Sequence, residues 1–161
     1  MTKAVRTGLL FMLMATCVSI ASADFMNVPY ADFKGDSADQ GFDINCGCVE
    51  KKSNSGHLYA GVHFPNGAII KNIRLLAVDY SLSCDVTASL LRTNMYTFST
   101  EAIFTVNSSG ASGSVQAPVD STTDVPADRK VYNNVLAYGI QLYFGCGDEQ
   151  IQVLGVVIEY E

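Results

Sequence analysis

Tryptophan is absent from this 161-residue chain, and histidine occurs only at positions 57 and 63. Basic residues are scarce too, ten against sixteen acidic ones, and charged residues of both signs make up only 16%. No block of like charges is present, and no second long apolar run follows the N-terminus. Each shortage excludes something. An acidic chain without basic clusters is a poor partner for phosphate backbones or anionic membrane surfaces, so no nucleic-acid partner is expected. Two histidines without a nearby Glu and a later His do not make the metal site of a cupin-type jelly roll. The lack of Trp removes the largest aromatic platform for a sugar ring. Tyr132, Tyr138 and Tyr143 are the substitutes, although the pattern puts Tyr138 on the core face.

The first 23 residues carry a positive n-region (Lys3, Arg6), a short apolar stretch from Leu9 to Ile20, and Ala21-Ser22-Ala23. This is the layout of a cleaved secretory signal. The apolar stretch is short of the ~20 residues a membrane helix needs. A retained anchor and a lipidated Cys17 are the alternatives to cleavage after Ala23. The processed chain is expected to be secreted or periplasmic, not inserted in a membrane, with a formal charge near −8 once Lys3 and Arg6 are removed.

Four cysteines then remain: Cys46, Cys48, Cys84 and Cys146. An even count in an oxidising compartment predicts disulfides, with three possible connectivities. Cys46 and Cys48 flank one glycine, and on an extended strand their Cα atoms stand ~6.8 Å apart, at the limit for a direct bridge. The favoured reading sends one bridge from this pair to Cys84 and one to Cys146. The runner-up joins Cys84 to Cys146, with Cys46 and Cys48 paired locally or free. A metal site from Cys-Gly-Cys with His57 or His63 has the wrong ligand spacing for structural zinc, so no metal and no cofactor are expected.

Residues 24–56 show isolated apolar residues among polar and glycine-rich stretches, and read as an irregular N-terminal arm. From 57 to 161 the pattern is strand, turn, strand. His57–Phe64 ends at Pro65-Asn66-Gly67, a strong turn. Ala68–Tyr80 is apolar on much of both faces. Cys84, Val86, Ala88 and Leu90 alternate with polar residues, the period of a half-buried strand. Further strands are expected over 96–106, 114–118, 130–144 and 150–160. They place Phe98, Ala102, Phe104 and Val106 on one face, Leu136 to Phe144 at alternate positions on another, and Leu154, Val156, Ile158 and Tyr160 together. The fold class is all-β, an antiparallel β-sandwich or jelly roll.

The run His63-Phe64-Pro65-Asn66-Gly67-Ala68-Ile69-Ile70, the later Asp79-Tyr80 and Val86–Arg92, and the closing Leu154-Gly155-Val156-Val157-Ile158-Glu159-Tyr160 resemble a group of uncharacterised secreted bacterial β-sandwich proteins. The resemblance covers about residues 57–160 and rests on structural motifs. It implies a fold and transfers no functional residue.

Catalytic patterns are thin. Gly110-Ala111-Ser112-Gly113-Ser114 misses the spacing of a nucleophile elbow and reads as a flexible loop. Asp79, Asp85 and Glu101 are the candidates for a carboxylate pair. Asp120-Ser121-Thr122-Thr123-Asp124 offers oxygen ligands without the glycine and final Glu of an EF-hand. The expected function is therefore a non-enzymatic exported module that works by surface contact with an extracellular protein or glycan. The alternatives are a carbohydrate-binding module or weak glycan hydrolase, and a homo-oligomer whose arm adds a strand to a neighbour.

Overall fold

Apolar residues at every second position drive this chain into two antiparallel sheets that face each other across one core. The computed structural model describes residues 22–35, 41–45, 47–51, 55–120, 129–145 and 151–161. Within them, the larger sheet contains β1 (Asp24–Pro29), β3 (Phe42–Asn45), β4 (Cys48–Lys51), β6 (Ile70–Asp79), β9 (Val115–Gln116), β10 (Val119–Asp120) and β12 (Ile151–Tyr160). The smaller runs β2–β5–β11–β7–β8, with β2 at Lys34–Gly35, β5 at Gly56–Val62, β7 at Val86–Asn94, β8 at Thr100–Asn107 and β11 at Leu136–Phe144. Leu58, Leu90, Ile140, Leu142 and Phe144 of the small sheet meet Ile73, Leu75, Ile151, Val153 and Ile158 of the large one in a single buried cluster. The all-β sandwich expected from the sequence is the fold observed.

The segment 24–56 is not an irregular arm. Its described residues supply β1, β3 and β4 to one sheet and β2 to the other. β1 pairs with the chain's own β12 from Asp24↔Tyr160 to Pro29↔Gly155. These strands are short, and they bury at most one or two apolar residues each, such as Val28 of β1 and the adjacent Cys48 and Val49 of β4, so no run of alternation marks them.

β12 lies beside β6 along one edge and divides its other edge between β1 and β4. A bulge between Val153 and Gly155 makes this possible. Ile151 and Val153 face the core before it; Val156 and Ile158 face the core after it. The bulge reverses the alternation, so Leu154 does not join Val156 and Ile158 as the uniform pattern predicts. A second bulge, where β7 steps from Leu90 to Leu91, acts similarly on β8. Phe104 and Val106 are buried, whereas Ala102 is exposed and Phe98 lies beyond the strand in a turn.

Cys84 is disulfide-bonded, and Cys48 is a buried thiol with Sγ 3.7 Å from Glu50 Oε1. The favoured arrangement, with both Cys46 and Cys48 bridged, is corrected at Cys48. Glu50 lies opposite Gln152 and Ile151 opposite Asp79. Cys48 therefore stands ~10 Å along β4 from the end that neighbours the linker carrying Cys84. Cys17, Cys46 and Cys146 lie outside the described residues.

Two outcomes are expected. Phe144 pairs with Val86, and Gly145 N donates to Asp85 O at 3.3 Å. This contact brings the described end of β11 beside Asp85, the chain neighbour of the bridged Cys84, and peptide mapping without reduction is expected to recover Cys84 joined to Cys146. A Cys84–Cys46 peptide would overturn that pairing. Separately, a Cβ at Gly155 (φ +157°) would come within 2.8 Å of Val28 O. Gly155→Ala is expected to cost about 1–3 kcal/mol and lower Tm by several degrees in a thermal melt.

Candidate binding face on the small sheet

Because Leu58, Ala60, Ile140, Leu142, Ala88 and Leu90 point inward, their neighbours on β5, β11 and β7 point to the opposite, outer face. The registers then fix rows across the strands. Tyr59 lies beside Gln141 and Ser89; Gly61 beside Gly139, Leu91 and Ala102; Ala137 beside Thr93 and Thr100. The middle row has almost no side chains on β5 and β11. It forms the floor of a trough of about 330 Å³.

One wall of the trough carries Tyr59, whose hydroxyl accepts a hydrogen bond from Gln141 Nε2 at 2.9 Å. The other carries Thr93 and Thr100, with hydroxyl oxygens 2.9 Å apart. No charged side chain lines the hollow. Three strand spacings from β5 to β8 give it a length of ~14 Å. Tyr59 and Tyr143 are each more than a third exposed on this face, and His57 stacks between them, its ring 4.7 Å from that of Tyr143 and 6.2 Å from that of Tyr59. His57 Nδ1 is buried with no hydrogen-bond partner among the described residues.

Gly61 is the informative floor residue. Its backbone needs no positive φ, and a Cβ built there meets no atom within 4 Å. Neither packing nor conformation requires glycine at this position. A glycine inside a strand often marks a bulge, a tight bend, or close approach by a ligand or another backbone; the β5–β11 register runs unbroken through Gly61, and the space above it is open. Gly139 opposite is more constrained, since its Cβ would stand 3.1 Å from Ala60 O.

Of the residues singled out from the sequence, His57 and Tyr143 lie on this face and Tyr138 is part of the trough's lining; the others fall elsewhere. Tyr138 is buried, and its hydroxyl accepts a hydrogen bond from Tyr132 N at 3.1 Å. Tyr132 is exposed in the turn before β11 and does not line the trough. His63 is exposed and lines a second hollow of about 270 Å³ with Met95, Asn133 and Ala137. Cys48 belongs to the large sheet and His57 to the small one, and no group of three or more His, Cys, Asp or Glu residues that could hold a metal occurs among the described residues. Of the proposed calcium loop, Asp120 accepts a hydrogen bond from Thr105 N at 2.9 Å. Residues 121–128 lie outside the described residues.

The three carboxylates do not form one site. Asp79 is fully buried at the end of β6; it accepts from Ser81 N at 2.8 Å and from Ser108 Oγ at 2.6 Å, while its carbonyl accepts from Ser112 N and Gly113 N. Asp85 accepts from Gly110 N at 3.3 Å. Glu101 sits near the opposite end of the small sheet, ion-paired with Arg92 Nε at 2.6 Å. The loop expected to be flexible is held by Gln116, whose Nε2 donates to Gly110 O at 2.9 Å and Ser112 Oγ at 3.0 Å. Sequence reasoning missed Tyr59, Gln141 and Thr93 with Thr100. Two strand-interior glycines, Gly61 and Gly139, were the available signal.

No protein-family model matches the chain, and no curated protein matches it. Among solved structures it is similar to a Clostridium thermocellum endo-1,4-β-D-xylanase 10B structure, carrying CBM22-1 and GH10 modules complexed with xylohexaose. That match has a TM-score of 0.53 and 13% identity; it covers 86% of this chain but 28% of the xylanase chain. Two others are the xylan-binding module CBM15 (TM-score 0.48, 10% identity, 86% and 97% covered) and TmCBM61 in complex with β-1,4-galactotriose (TM-score 0.41, 10% identity, 83% and 86% covered). The likeness to the xylanase structure is one of fold.

Asp79 is expected to behave as a structural residue. Asp79→Ala strands the Ser81 amide and the Ser108 hydroxyl in a buried place. It should cost about 2–5 kcal/mol by denaturant titration for two lost partners of a charged group. Any ligand binding, corrected for the folded fraction, should be unchanged.

Proposed function

We propose that this chain is an exported, non-catalytic glycan-binding module, and that its ligand lies in the trough on the outer face of the small sheet. The observation that carries this reading is the unfilled row at Gly61 and Gly139 between an aromatic wall and a hydroxyl wall. A sugar ring has apolar faces and a hydroxylated rim. Tyr59 offers a ring face to the first and, with Gln141, polar atoms to the second; Thr93 and Thr100 offer further hydroxyls. The absence of charge in the lining, on a chain of net charge −6, favours a neutral glycan over an acidic one. The sandwich fold suits the role, because its similar xylanase structure was obtained with xylohexaose. Export is supported by the signal-like N-terminus, and no helix among the described residues is long and apolar enough to cross a membrane. The full burial of Asp79, its carboxylate taken by Ser81 N and Ser108 Oγ, and the place of Glu101 near the opposite end of the small sheet favour binding over hydrolysis.

Affinity electrophoresis against neutral β-1,4-linked polysaccharides, xylan and galactan among them, tests the reading together with a turnover screen. Retarded migration without product release is the expected outcome. Tyr59→Ala should weaken binding roughly tenfold, the factor set by ~1.4 kcal/mol. Gly61→Val is the sharper variant. A β-branched residue suits a strand and its Cβ would meet no atom within 4 Å here, so Tm should hold while binding disappears. Unaltered retardation of Gly61→Val would remove the trough from consideration.

A further inference from the structure

We infer that the tip of the β7–β8 hairpin is a second contact for the same glycan, an aromatic platform for sugar rings that continue beyond the trough; this rests on the glycan-binding reading above. The tip presents Met95, Tyr96 and Phe98 at 45%, 75% and 81% exposure. Such exposure would be ordinary in a floppy loop, but this loop is held. Asn94 Oδ1 accepts from Tyr96 N at 2.9 Å and Thr97 N at 3.1 Å, Asn94 O accepts from Phe98 N at 2.8 Å, and Asn94 N donates to Ser99 O at 2.9 Å. Phe98 is the one described non-glycine residue with positive φ, at +58°. That conformation is disfavoured for bulky side chains and persists where surrounding structure imposes it.

The tip is also continuous with the trough. Thr93 and Thr100, at the base of the hairpin, form the hydroxyl wall. Met95 lines the second hollow, which shares Ala137 and Tyr138 with the trough, and Met95 N donates to Val135 O at 2.9 Å. From Thr93 to Thr100 there is no charged residue, so the tip matches a neutral ligand as the trough does. A trough of ~14 Å holds only a short oligosaccharide. A longer chain that passes over the Thr93–Thr100 wall would run along the hairpin and meet the tip. The protein would then prefer the interior of a polymer to a short fragment.

Titration calorimetry with xylo-, gluco- and galacto-oligosaccharides from dimer to octamer tests this, with wild type beside the double variant Tyr96→Ser/Phe98→Asn. Asn tolerates the left-handed region, so the variant should fold with Tm unchanged or raised. Wild-type affinity should climb with chain length past what the trough holds. In the variant the octamer should lose roughly tenfold in affinity, with the trimer unchanged. Equal octamer affinity in both proteins, or equal loss for trimer and octamer, overturns the inference. Binding to phosphatidylcholine vesicles that disappears in the variant also overturns it and assigns the tip to lipid. If wild type binds no saccharide of any length, the glycan reading itself falls, and the tip proposal with it; binding that ignores the tip leaves that reading intact.

Discussion

The outer face of the small sheet depends on the registration of β11 between β5 and β7. Ile140, Leu142 and Phe144 are wholly buried, and β11 keeps one register with β5 over seven residue pairs and with β7 over nine. Because the side-chain period of a strand is two, slipping β11 by one residue would turn Gln141 and Tyr143 inward and expose Ile140 and Leu142. The burial penalty against that slip is large, since each exposed aliphatic side chain costs about 1.5–3 kcal/mol. The core thus sets the trough indirectly. Tyr59 meets Gln141, and Gly61 meets Gly139, because the residues between them have nowhere else to go. A sheet also holds such a constellation more tightly than a loop would, which suits a site built from many weak contacts.

Local alternation made β7 and β11 legible from the sequence. Val86, Ala88 and Leu90, and the series from Tyr138 to Phe144, fall on the faces assigned to them. Alternation fails where backbone geometry interrupts it. Leu154 and Ala102 were placed on the wrong faces because a bulge changes the phase within one apolar run, and nothing in the composition of Val153-Leu154-Gly155 beyond the glycine announces it. The strands within 24–56 were missed for a different reason. Each is too short to show a period, and their stability comes from pairing with partners such as β12, a hundred or more residues away. Asp79 illustrates a third limit. Its carboxylate gained interest as a chemical group, yet Ser108 from a distant loop makes it a buried structural hub.

The trough was illegible for the same nonlocal reason. Tyr59, Gln141 and Thr93 come from three strands and have no shared motif; they become neighbours only through the sheet order β5–β11–β7. Two glycines did stand in otherwise apolar strands. Gly139 could be dismissed as a packing requirement, since Ala60 O crowds its missing Cβ, whereas Gly61 cannot. The contrast matters, because a glycine that nothing in the folded chain requires weakens its strand through backbone entropy.

The two ends of the hairpin bearing Tyr96 and Phe98 contribute differently to stability. At its base, Arg92 and Glu101 pair on the surface, an interaction worth little by itself when one partner is largely exposed. At its tip, three apolar side chains face water and a phenylalanine occupies a left-handed conformation. Folding energy alone would favour Asn or Gly at position 98 and polar residues beside it. The Asn94 side chain, by accepting two amide hydrogen bonds, keeps the tip in one shape. Rigid exposed aromatics lose little conformational entropy when covered, so order at the tip lowers the cost of a contact that the core does not need.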